Sequence, residues 1–129
     1  RNRNMTVLPQ TVSEAWEKRE GPIVFGTVDA KGTPNLVYMT CVKKVAEDRF
    51  VLVDNFFNKT RANIAAGSKG SMAFITDEGK SFQVKGTLEY LPSGPVFDDM
   101  KCWNPENLPG VAAVVLHVGQ VFSGAEQLA

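Results

Sequence analysis

Polar and apolar positions alternate cleanly between Ser81 and Leu91. Phe82, Val84, Gly86, Leu88 and Tyr90 fall on one face, and Gln83, Lys85, Thr87 and Glu89 on the other. A period of two predicts a strand with one face on a core and one on water. β-branched and aromatic residues bounded by turn formers predict further strands at Ile23 to Val28, Asn35 to Val45, Arg49 to Val53, Ser71 to Thr76 and Val111 to Val118. Asp29-Ala30-Lys31-Gly32, Glu47-Asp48 and Asp77-Glu78-Gly79-Lys80 are the turns. The first three strands read as an antiparallel meander. Val111 to Val118 is almost continuously apolar, the pattern of a strand covered on both faces.

The Asn35 to Val45 run does not alternate. Leu36, Tyr38, Thr40 and Val42 form one set and Val37, Met39, Cys41 and Val45 the other, and neither is uniformly polar. Such a strand has a core on one side and needs a second cover, either a ligand or another subunit.

Helical signals are short. Thr11 with Glu14 resembles a capping box, and Val12, Ala15 and Trp16 share a face before Gly21-Pro22 stops the helix. Asn58 to Gly67 reads as a second helix, with Asn58 as N-cap and Gly67 as its stop. Pro92 to Gly110 holds four prolines and two glycines and reads as irregular, with one helical turn within Val96 to Trp103. Six strands, short turns and two or three short helices predict a mainly β fold: a closed or half-closed antiparallel barrel in one domain over residues 1–129.

The Asn58 to Gly67 helix carries the clearest chemistry. Its first turn holds Lys59, Thr60 and Arg61. Cations oppose the dipole there, where acidic residues are preferred, and unpaired backbone N–H groups attract anions. An anionic ligand such as a phosphate would resolve the conflict; the competing reading is a solvated surface turn.

Composition narrows the field. Lys plus Arg and Asp plus Glu are both 14, so the formal net charge is zero, without the basic excess of a general nucleic-acid binder. No apolar run approaches the roughly 18 residues of a membrane span, and no secretory signal is visible. Cys41, Cys102 and the single histidine, His117, lack metal-site spacing, so no metal is expected and the chain reads as reduced and cytoplasmic. Arg1 to Asn4 precede Met5 and are read as a remnant ahead of the natural start, so nothing rests on them.

Taken in order, these pieces resemble the FMN-binding split β-barrel family, the pyridoxamine 5′-phosphate oxidase-like proteins. The resemblance covers Val12 to Gln127: a helix, strand-turn-strand with Gly32-x-Pro34 and Leu36-Val37, then Arg49 to Val53, Lys59-Thr60-x-x-Asn63, Lys85-Gly86 and an apolar last strand from Ala112. The Lys-Thr-x-x-Asn element looks most like that of the family's small FMN-binding proteins. The resemblance implies a six-stranded antiparallel split barrel that forms a homodimer, with two FMN sites at the subunit interface. It maps Lys59 and Thr60 onto phosphate-binding positions and Asn63 onto the motif's third position. Tyr38, Met39 and Thr40 map beside the ribityl chain and ring, and Val51 to Asn55, with Val53, Asp54 and Asn55 as the site residues, onto the strand end and loop where backbone groups meet the ring. Some relatives hold a deazaflavin or haem. The further basic residues of the full oxidase have no convincing counterparts here, so pyridoxamine phosphate is not the expected substrate.

No catalytic side chain is nominated. His117 reads as a strand histidine with hydrogen-bonded packing rather than a base, and Asp98 and Asp99 as a solvated loop or helix face rather than an acid/base pair. Phe56 and Phe57 favour packing over ring stacking. Trp103 either packs at the dimer interface or covers a flavin edge. The expected function is redox, as an FMN-dependent oxidoreductase or electron carrier. The alternatives are a non-enzymatic flavin store and a flavin-free barrel for another phosphorylated ligand.

Overall fold

A computed structural model describes residues 5–129; Arg1 to Asn4, set aside above, lie outside the described residues. The element order is α1 (Gln10–Glu17), β1 (Ile23–Val28), β2 (Pro34–Met39), β3 (Val42–Ala46), β4 (Arg49–Asp54), α2 (Lys59–Ala65), β5 (Gly70–Ile75), β6 (Ser81–Leu91), α3 (Pro95–Trp103), β7 (Ala112–Ser123) and β8 (Glu126–Gln127). Among the described residues the expected six strands become eight. The long run divides into β2 and β3, and a two-residue β8 folds back on β7.

All pairings are antiparallel, in the order β2-β1-β5-β6-β7-β4-β3. The predicted meander is therefore corrected, because β2 and β3 lie at opposite ends of this order. Yet only Thr40 and Cys41 separate them in sequence. A span of three residues reaches at most about 11 Å, so the sheet must curl until its two end strands meet. Their junction is Thr40–Cys41, where the Val42 N–H donates to the Thr40 carbonyl (3.0 Å) and the Val53 N–H of β4 to the Cys41 carbonyl (3.0 Å). Beyond that point they diverge, and the barrel is split along this seam. The turn also resolves the two-faced pattern, since it lets Met39 and Val42 both point inward.

The inward faces form the main core. Phe25 and Phe50 are fully buried, and Trp16 of α1 closes one end, edge-on to Phe50 (4.9 Å) and Phe74 (5.1 Å). Each such side chain contributes roughly 1.5–3 kcal/mol of burial. The predicted capping box is absent. Helix α1 begins after Pro9, with no side-chain cap bond, and Glu14 instead accepts from Gln10 Nε2 (3.0 Å).

Strands β6 and β7 behave as their patterns predict. Phe82 and Val84 face the core, Lys85, Thr87 and Glu89 face outward, and a register shift lies between Lys85 and Gly86. There a Cβ on Gly86 would lie 1.7 Å from the His117 carbonyl oxygen, so only glycine fits. On β7, Val114, Leu116 and Val118 enter the main core, while Ala113 and Val115 join a second cluster beneath α3 with Val51, Val53 and Met100. Helix α3 is longer than the single turn predicted. Pro95 takes a first-turn position, Asp98 lies in the first turn and Lys101 in the last, an arrangement that suits a helix and its dipole.

Candidate functional site

A cavity of about 520 Å³ opens at the split, between β2 and the loop that joins β4 to α2. One wall is the edge strand, with Leu36, Val37, Tyr38 and Met39, continuing into Thr40 and Cys41. The other runs from Val53 through Asn55, Phe56, Phe57 and Asn58 to Lys59 and Thr60, with Leu108 added from the segment after α3. Its volume lies within the roughly 300–1,000 Å³ of small-ligand sites.

The start of α2 supplies the polar end. Asn58 occupies the N-cap position but makes no side-chain cap bond. Thr60 is 2% exposed, and its Oγ1 accepts from Asn35 Nδ2 (3.1 Å), which leaves the hydroxyl hydrogen available to a ligand. Lys59 is exposed and takes part in none of the ion pairs among the described residues. The far end of α2 closes as predicted: Gly67 has φ +93°, its N–H donates to Ile64, and the Ser68 N–H donates to Asn63.

Arg61 has a different role from the one its position suggests. Its Nε lies 2.7 Å and one terminal nitrogen 3.0 Å from the two carboxylate oxygens of Asp54, which is fully buried. Asp54 also accepts from the Tyr90 hydroxyl (2.6 Å) and the Phe57 N–H (3.0 Å). Burial pushes this carboxyl up, but the bonds from Arg61, Tyr90 and Phe57 outweigh it and hold the pKa below the usual carboxylate range. Arg61 is raised chiefly by its bond to Asp54, and Tyr90 is raised by burial and then by Asp54. The charge conflict read from the first turn is thus half resolved within the chain: Arg61 is paired with Asp54, and Lys59 has no ion pair among the described residues.

A family model described as pyridoxamine 5′-phosphate oxidase matches residues 8–123. The chain belongs to the pyridoxamine 5′-phosphate oxidase-like family of FMN-binding split barrels. The uncharacterized protein MJ0282 of Methanocaldococcus jannaschii is 32% identical over 111 residues, covering 81% of this chain and 74% of its own length. The structure of HupZ from Group A Streptococcus superposes with a TM-score of 0.78 at 25% identity, over 90% of this chain and 93% of that one. An FMN-binding protein from Syntrophomonas wolfei subsp. wolfei gives 0.71 at 20% identity, over 93% and 96%.

Against this family background the structure brings Tyr38, Met39, Thr40, Val53, Asn55, Lys59 and Thr60 together around one cavity. Three candidate site residues, two of them with a mapped role, lie outside its lining. Asp54 is turned to Arg61 and Tyr90. Asn63 is 5% exposed and its Nδ2 donates to Thr27 Oγ1 (3.0 Å), tying α2 to β1. Trp103 packs beside the second cluster, with Nε1 bonded to Asp99 (3.3 Å) and Lys43 Nζ 5.8 Å from its ring centre. Phe57 stacks on Phe25 at 6.1 Å, whereas Phe56 is 74% exposed at the rim. His117 lies half-exposed on the outer face of its strand, hydrogen-bonded to Glu89 at 3.1 Å. Sequence reasoning missed Asn35 and Leu108. Asn35 is a polar residue on an inward β2 position, a signal that was present; Leu108 reaches the site only through the path of the loop.

Proposed function

We propose that this chain is a flavoprotein that holds FMN in the cavity at the split and acts in redox chemistry as a homodimer. The observation that carries the reading is the polarity of that cavity. Its walls are apolar and aromatic, and one end presents an unpaired lysine, an available hydroxyl hydrogen and uncapped helix N–H groups. These suit a flat ring system with a terminal phosphate: Lys59 and Thr60 would hold the phosphate, and Tyr38, Met39 and the Val53–Asn55 strand end would border the ring. FMN would supply the hydride or electron transfer, and the protein its orientation and electrostatics.

The dimer rests on the uncovered outer face of β1, β2 and β5. Leu36 is 69% and Tyr38 79% exposed there, beside Val24, Val28 and Pro34. A concavity of about 900 Å³ on this face shares Leu36 with the cavity, so a second copy seated on it would border the flavin.

A non-enzymatic flavin store or carrier is the second reading. It is favoured by the cavity lining, whose titratable groups among the described residues are Tyr38, Cys41 and Lys59, a set with no carboxylate or imidazole for proton transfer. Purified protein should show, or regain with added FMN, the flavin absorption bands in the visible blue; their absence after FMN addition would reject flavin binding. Turnover of NADH or NADPH by the FMN-loaded protein would support the enzyme, and tight FMN without turnover the carrier.

A further inference from the structure

We infer that Asp54 is the positioning residue of this site: from beneath the cavity it locks the β4–α2 loop in its ligand-ready form and holds Arg61 away from the phosphate. The inference rests on the flavin reading for its ligand. The carboxylate itself does not line the cavity. It is fully buried, and three separate elements converge on it: Arg61 from α2, the Phe57 N–H from the loop and the Tyr90 hydroxyl from β6. Its own carbonyl accepts the Val111 N–H (2.8 Å) at the start of β7.

The neighbouring residue repeats the pattern. Asn55 Oδ1 accepts from Asn104 Nδ2 (3.0 Å) and the Gly110 N–H (2.8 Å), and Asn104 is itself buried. Asp54 and Asn55 thus anchor one end of the loop, and Thr60, bonded to Asn35, anchors the other. Only Phe56, Asn58 and Lys59 are left exposed between them, along the cavity. A loop fixed in this way loses little entropy when a ligand arrives, which raises affinity without added contact. With Arg61 so paired, Lys59 is the one unpaired cation at the site among the described residues, which suits a single phosphate monoester.

The test compares Asp54→Asn with wild type in two measurements. In the ligand-free protein, exchange of the Phe57 amide, which donates to the Asp54 carboxylate, should be slow in wild type and at least about tenfold faster in Asp54→Asn. In titrations, Asp54→Asn should weaken FMN about tenfold or more and riboflavin clearly less, because the displaced element carries Lys59. Three results overturn the inference: unchanged exchange; unchanged FMN affinity in the folded variant, which would leave the carboxylate a purely structural role; or tighter FMN, which would mean that releasing Arg61 matters more than the lock. Should Asp54→Asn fail to fold, Tyr90→Phe keeps the ion pair and removes one donor, and the same readouts should move about threefold to tenfold. If wild type binds neither FMN nor riboflavin, the flavin reading fails by itself, and the exchange measurement alone decides the lock.

Discussion

The outer face of the sheet is treated differently in its two halves. Over β4 and β7 it is apolar and covered: Val51, Val53, Ala113 and Val115 lie beneath α3, with Met100 fully buried between. Over β1, β2 and β5 it is also apolar at Val24, Val28, Leu36 and Ile75, and no element among the described residues covers it. One helix of nine residues accounts for the difference. The covered half serves the monomer's stability. The open half borders the cavity and is where ligand and second copy are proposed to act.

That division predicts which substitutions hurt what. The largest effect is expected under α3. Met100→Ala should cost about 2–5 kcal/mol of stability in chemical denaturation, while the folded fraction keeps its FMN affinity, since Met100 does not line the cavity. An equal loss of affinity would mean that the halves are not separable.

On the open half the effect should appear in assembly. Val24 lies outward on β1, between Tyr38 and Ala73. Val24→Asp should turn a dimer into a monomer in micromolar sedimentation, raising the dissociation constant at least about a hundredfold, because a two-fold interface feels the change twice and central positions dominate binding. A wild type that sediments as a monomer would remove the proposed partner altogether.

A smaller effect separates the two roles at their junction. The carboxyl of Asp54 has its folded pKa lowered relative to the unfolded value of about 3.9, so the unfolded chain takes up this proton first as pH falls. The stability it contributes is therefore present above about pH 4 and lost as pH drops through the folded pKa. Denaturation midpoints of Asp54→Asn should show a shallower acid decline than wild type, and parallel curves would place the acid sensitivity elsewhere.

The strands with a clean pattern were legible in the sequence, and so was much of the cavity. The alternation of β6, the two covered faces of β7 and the Gly67 stop all depend on neighbours close in the chain or on a single face. What was not legible depends on distant partners. The break at Thr40–Cys41 follows from barrel closure, which no local pattern records. The prolines around α3 suggested a loop, although Pro95 at a helix start favours the helix. Arg61 looked like a ligand for phosphate because its partner, Asp54, is an acid buried seven residues away. Lys59 and Thr60 were legible as cavity-lining residues because their place rests on the local turn.

Whether the cavity holds FMN with its phosphate at Lys59 and Thr60 is decided by paired titrations of wild type and Lys59→Ala with FMN and riboflavin. A charge-assisted hydrogen bond is worth roughly 1.5–3 kcal/mol, and about 1.4 kcal/mol is tenfold in affinity. Lys59→Ala should therefore weaken FMN by one to two orders of magnitude, and Thr60→Ala by less. Riboflavin, which lacks the phosphate, should bind both variants almost as it binds wild type. Equal weakening of FMN and riboflavin by Lys59→Ala would contradict that placement and move the phosphate away from this turn.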